Sequence, residues 1–297
     1  MLPLRDNIPT GRFPVLTVVL IAINVVVFGW QLTLGSDDYS SPELETLGVN
    51  ESDQASIEYG AIPYRLTHPG EDCSVGAVSQ GSQAQVDVVC EGTPEFAEAE
   101  ALSRQGAAPL APLSDAPWWV TVFTSMFLHA SILHIAGNML FLWVFGNNIE
   151  DSMGKPRFLA FYLLSGLVAV YAQTLLEPEA TVPTIGASGA VSGVLGGYIL
   201  MHPHARILTL VFVIFFITFV EIPAMFMLGI WFVLQLLPAV GQVATTEIAG
   251  DGGGVAYLAH LGGFLFGLAT IRLWVKRRRD GPGEDTPTRP AEPAYPG

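Results

Sequence analysis

The chain has 297 residues, 51% of them hydrophobic and only 13% charged, with a mean hydropathy of +0.46. A soluble domain of this size carries about 25% charge, so lipid is read as the solvent for much of the chain. The net charge of −14 arises largely in residues 35–117, which hold 15 Asp/Glu against Arg65 and Arg104; no basic patch of the kind nucleic acid requires is present.

Crossing the hydrocarbon core as a helix takes roughly 20 apolar residues. Residues 1–13 are a short N-terminal segment, and residues 14–34, without a charge, make the first candidate span. This stretch is too long for a signal-peptide core and lacks a small-residue cleavage site, so it reads as a retained anchor. Residues 35–117 mix acid with Ser, Gly, Pro and Gln and predict an extracytoplasmic insertion, partly ordered at best. Cys73 and Cys90 both fall there; a disulfide in an oxidising compartment and two free thiols are equally open. No set of four zinc ligands at finger spacing occurs.

Residues 118–275 hold the remaining candidate spans, opening with the aromatic Pro117-Trp118-Trp119-Val120-Thr121-Val122-Phe123, which suits a membrane interface. Spans follow at 132–147, 158–176, 187–200 (short and Gly-rich) and 255–275. Residues 207–241 are too long for one crossing and short for two. Arg5 and Arg12, Lys155 and Arg157, Arg206, and Lys276-Arg277-Arg278-Arg279 fall on one side only if the chain crosses six times. The fifth crossing is then placed at 222–240, with 207–220 at the interface or against the bundle, the opposite split being nearly as good. Both termini lie in the cytoplasm, and the tail 276–297 is basic, then Pro/Gly-rich and unstructured. The fold class expected is all-α, a multi-pass bundle of six transmembrane helices with a loop insertion.

Polar residues inside spans are rare and raise a functional question by default. His134 and Asn138 stand at i and i+4, on one helix face. Ser188, in Gly186-Ala187-Ser188-Gly189, opens the fourth span, and His260 lies in the outer part of the last. All sit at similar depth. A serine hydroxyl needs an adjacent base to act as a nucleophile, most often histidine, and the resulting oxyanion needs donors, which His134, Asn138 and the Ser188 N–H offer. Gly189, Gly193 and Gly197, and Gly263 and Gly267, form small-xxx-small ridges that let two helices approach closely enough for Ser188 to reach His260. Each feature has an ordinary structural reading: serines back-bond to their own helix, glycine ridges pack, and polar pairs clamp helices. The conjunction points to chemistry. His129 reads as structural or interfacial, and His202 and His204 as solvated loop residues.

Taken in order, His129, His134-x-x-x-Asn138, Gly146-x-x-x-Glu150, Gly186-Ala187-Ser188-Gly189 and Ala259-His260-x-x-Gly263-x-x-x-Gly267 resemble the rhomboid family over residues 118–275. The resemblance implies a six-helix core and a water-accessible cavity open to the outside; the membrane expected is a bacterial plasma membrane. It implies a Ser188–His260 dyad without a carboxylate, an oxyanion site at His134 and Asn138, and no metal or cofactor. Single-span membrane proteins are the implied substrates, and Glu150 the implied structural hydrogen-bonding residue. Three departures stand out. The Trp-Arg pair that many members carry is absent, since Val120 and Thr121 follow Trp118-Trp119. Ser192 occupies the position where some members stack an aromatic ring on the histidine, leaving His260 to be held by other groups. The insertion is long. Rival readings are a non-cleaving rhomboid-like client-binding protein and a small transporter, though the two related halves of a transporter are not visible. A metalloprotease lacks its H-E-x-x-H motif, and Asp251 lacks a second intramembrane aspartate.

Overall fold

In the computed structural model, which describes residues 2–35, 38–80, 83–113, 116–213, 216–244 and 256–275, the chain is mostly helical. The basic tetrad 276–279, the tail beyond it and Asp251 lie outside the described residues. Strand β1 (Leu2–Asp6) precedes α1 (Val15–Thr33), which is uncharged and has no side-chain cap of its own. Its cap comes from elsewhere in the chain. The carboxylate of Glu150 accepts the Leu16 N–H (3.0 Å), the Thr17 N–H (2.8 Å) and the Thr17 hydroxyl (2.9 Å). A buried anion thus satisfies N–H groups that a helix start leaves free, and it sits at the positive end of the helix dipole.

The segment expected to be partly ordered at best is folded over its described residues. Within 38–113 run α2 (Pro42–Leu47), α3 (Glu51–Tyr59), α4 (Pro63–Thr67), β2 (Cys73–Gln80), β3 (Gln83–Cys90), α5 (Pro94–Arg104) and β4 (Leu110–Pro112). The strands form an antiparallel sheet in the order β3-β2-β4. Its acidic composition hid two ordering devices. Ser41, Asn50 and Thr93 each cap a helix start by accepting the N–H three residues on. Val75, Val78, Val88 and Val89 are buried under the helices, and Cys73 and Cys90, register partners in the hairpin, form a disulfide.

The rest of the chain comprises α6 (Trp118–Thr124), a 3₁₀ turn, α7 (Ile132–Met153), α8 (Lys155–Leu176), α9 (Ser188–Met201), β5 (Arg206–Val213), β6 (Phe216–Pro223), α10 (Ala224–Ala244) and α11 (Tyr257–Trp274). The all-α expectation needs correction here as well. β5 and β6 are paired antiparallel, and β1 pairs with β5 to make a second three-stranded sheet, β1-β5-β6. Two eight-residue runs rich in Ile, Val, Phe and Thr favour paired strands over a short helix. Among the described residues, α1, α7 and α8 are long and apolar enough to cross a membrane, while α9 and Ala224–Val240 are apolar but shorter. Leu142, Phe145, Phe158, Phe161, Tyr162 and Leu195 fill the core between α7, α8 and α9. Val26, Leu133, Leu175, Leu237 and Leu273 point outward, an arrangement suited to a protein embedded in lipid.

The α/β unit grips the loop between α8 and α9. Ala61 and Thr184 exchange both backbone hydrogen bonds (3.1 and 2.8 Å), the Tyr64 N–H donates to Ala180 O (3.0 Å), and the Thr67 hydroxyl donates to Pro178 O (3.0 Å). That loop ends at Ser188.

Candidate active site

Helices α9 and α11 touch backbone to backbone. A Cβ added at Gly267 would lie 2.7 Å from the carbonyl carbon of Gly193, and one added at Gly196 would lie 2.9 Å from Leu268 N. No side chain larger than hydrogen fits between them, and this contact determines what the N-terminal ends of the two helices bring together. Ser188 Oγ lies 2.8 Å from His260 Nε2.

Ser188 is half-buried and is the first residue of α9, so its N–H belongs to the group a helix start leaves unpaired. Gly186, two residues before it, has φ +118°, a conformation side chains rarely adopt, and its N–H donates to Ser125 O (2.8 Å). A Cβ at Gly186 would stand 2.7 Å from His134 Nε2 and 3.6 Å from Ser188 Oγ, so the His134 ring closes directly over the turn that leads into Ser188. His134 Nδ1 accepts the Ala130 N–H (3.4 Å), which leaves Nε2 as the protonated nitrogen, a donor on the Ser188 side. One turn on, Asn138 is buried, and its amide nitrogen has no hydrogen-bond partner among the described residues. No hydrogen bond joins Asn138 to Ser188 or to His134. A cavity of about 20 Å³ beside Ser188, lined by Ser125, Thr184, Gly186 and Ala259 among others, has room for one water.

His260 is buried. Its Nδ1 is 2.7 Å from Gln235 Oε1, and its ring lies against Trp231 (centroids 6.1 Å apart) and the edge of Tyr257 (6.5 Å). Both Gln235 and Trp231 come from α10 and escaped the sequence reading, although a lone amide in the apolar run 224–240 was a signal. Ser192 donates its hydroxyl to Ser188 O (2.6 Å) and leaves the ring alone. His129 packs edge-on to His134 (5.0 Å) and takes its place through the Gln31 side chain, which accepts the His129 N–H (3.0 Å). Burial pushes His129 down to about 4, so it stays neutral. His202 packs on Tyr198 at the other end of α9. Among the described residues no cluster of His, Cys, Asp or Glu could hold a metal ion.

Residues 116–277 match the family model described as Rhomboid domain. Rhomboid protein 1, mitochondrial, of Saccharomyces cerevisiae is 32% identical over 153 residues, covering 50% of this chain and 40% of the yeast protein. Rhomboid protease GluP of Bacillus subtilis is 37% identical over 97 residues, 33% of this chain and 18% of that protein. Rhomboid-like protease 3 of Toxoplasma gondii is 29% identical over 177 residues, 60% of this chain and 59% of its own length. The chain thus spans less than two thirds of each of these relatives.

Proposed function

The chain belongs to the rhomboid family, and from that premise we propose that it is an intramembrane serine endopeptidase hydrolysing peptide bonds of single-span membrane proteins. The observation that carries this reading is the 2.8 Å contact between Ser188 Oγ and His260 Nε2. His260 Nε2 takes the hydroxyl proton as Oγ attacks the scissile carbonyl carbon. It returns that proton to the leaving amine as the tetrahedral intermediate collapses, and water then repeats the sequence on the acyl-enzyme. A positioned base of this kind contributes about 10²–10⁴-fold. The oxyanion is taken up by the Ser188 N–H, the Nε2–H of His134 and the amide of Asn138, whose unpaired donor suits a partner that exists only during the reaction. Each such donor is worth about 10²–10³ in rate. The one-water cavity beside Ser188 is a natural reservoir for the hydrolytic step. The chemistry calls for no metal or cofactor.

In the bilayer this reading has six crossings, α1 and α7 to α11, with both termini on the cytoplasmic side of a bacterial plasma membrane and the α/β unit as an extracytoplasmic insertion. Arg5, Arg12, Lys155, Arg157 and Arg206 all fall on one side in that arrangement, and the Cys73–Cys90 disulfide falls in an oxidising compartment. With 14 residues, α9 reaches only about 21 Å, short of a hydrocarbon core of roughly 30 Å, which favours a Ser188 sunk below the outer surface and reached by water.

Labelling with a fluorophosphonate serine probe, beside cleavage of a single-span substrate in detergent, tests the assignment. Wild type should label and cleave, and Ser188→Ala should do neither. Full cleavage by Ser188→Ala would rule out the nucleophile. A folded wild type inert in both assays would instead be a client-binding member that does not cut.

A further inference from the structure

We propose that Gln235 is a positioning residue for His260: its amide oxygen fixes the orientation and the tautomer in which the imidazole can take the proton of Ser188. The inference rests on the protease reading above and adds a third member to the Ser188–His260 pair. An amide oxygen only accepts, so the 2.7 Å contact between Gln235 Oε1 and His260 Nδ1 requires the ring hydrogen to be on Nδ1. Nε2 then carries the lone pair, and the 2.8 Å contact with Ser188 Oγ is a hydroxyl donating to a base. Were the hydrogen on Nε2, the same contact would run from ring to hydroxyl, and no proton could be accepted there. Tautomer choice is therefore a catalytic variable, and on this ring Gln235 controls it.

Three further observations agree. Gln235 is the only residue between 224 and 240 with an amide, hydroxyl or charged side chain. A polar group in an apolar helix is retained where it has a partner to satisfy, and the partner here is the base. Trp231, one turn earlier on the same face of α10, lies along the His260 ring, so the helix restrains both the ring's tilt and its hydrogen. The position where some relatives stack an aromatic ring on this histidine holds Ser192, whose hydroxyl is turned to Ser188 O. Orientation thus comes from α10. An amide performs it without adding a second charge to a buried site, where a carboxylate would have to be desolvated.

The experiment measures kcat and KM against pH for wild type, Gln235→Met and Gln235→Glu, and records ¹⁵N spectra of the histidine ring nitrogens, with His260 assigned by its loss in His260→Ala. Met matches the length of Gln but its thioether sulfur is only a weak acceptor; it should lower kcat by about ten- to a hundredfold with KM little changed. The His260 spectrum should shift from a single Nδ1–H tautomer to a mixture. Glu restores the acceptor with a negative charge, so kcat should recover and the acidic limb of its pH profile should move to higher pH. A Gln235→Met enzyme with wild-type kcat and pH profile overturns the proposal. So does a His260 tautomer that the substitution leaves unchanged. If wild type proves inert on every substrate, the protease reading fails alone, because the ring spectrum still decides whether Gln235 governs the imidazole.

Discussion

Replacing Gly267 with alanine probes the contact on which the site's geometry depends. The added Cβ would lie 2.7 Å from the carbonyl carbon of Gly193 and 2.9 Å from its Cα, and closer still to the carbonyl oxygen. Ordinary contact starts near 3.4 Å, and the opposing atoms are backbone with no rotamer to change. The helices must therefore part by about 1 Å. Gly267 is seven residues from His260, about 10 Å along α11, and Gly193 is five from Ser188. A rigid separation at that level carries to Ser188 and His260 and lengthens their 2.8 Å contact to about 3.8 Å, beyond a hydrogen bond. A misplacement of 1 Å can lower a rate about a hundredfold, and overpacking destabilises by about 1–3 kcal/mol. Fluorophosphonate labelling rate and thermal unfolding in detergent read the two effects separately. Gly229→Ala is the control, since nothing lies within 4 Å of its added Cβ; it should label like wild type. A Gly267→Ala protein with wild-type labelling rate and unfolding midpoint would refute the reasoning.

Other substitutions follow from the same geometry. Asn138→Ala should lower kcat about 10²–10³-fold with little change in unfolding temperature, because its amide nitrogen has no hydrogen-bond partner among the described residues. Glu150→Ala strips the cap from α1 and should destabilise by about 1–3 kcal/mol in chemical denaturation, leaving the labelling rate of the folded fraction near wild type. Replacing Cys73 and Cys90 by serine removes a crosslink of sequence separation 17, worth about 3 kcal/mol. Limited proteolysis should then open the α/β unit first, and cleavage activity should fall because that unit holds the loop ahead of Ser188. Burial raises the Asp6 carboxyl above its ordinary 3.8, against hydrogen bonds from Tyr198 and Asn148. The folded protein thus binds that proton more tightly than the unfolded chain. Its stabilisation is complete below 3.8 and is lost as pH rises through the raised value. Asp6→Asn should flatten the pH dependence of thermal unfolding across that interval.

The apolar stretches could be read from sequence, and helices run over all of them except the part of 207–241 that forms β5 and β6, because lipid favours helices that satisfy their own backbone. Ser188, His260, His134 and Asn138 could be singled out for the same reason: polar groups are rare where water is absent. The strand pair β5 and β6 was missed because an apolar run of that length suits helix and strand alike, and pairing with β1 is what separates them. The α/β unit was underestimated because acid on its surface lowered the average hydropathy while a handful of valines and one disulfide made its interior.

By itself the sequence singled out Ser188, His260, His134 and Asn138 as candidates for chemistry, since that follows from residue type and from position in an apolar run. The tertiary structure alone decided which group faces Nδ1 of His260 and what steadies the loop before Ser188. Those are contacts between segments far apart in the chain, to α10 in one case and to the α/β unit in the other, and a hydrogen-bond partner is a property of two placed groups, never of one.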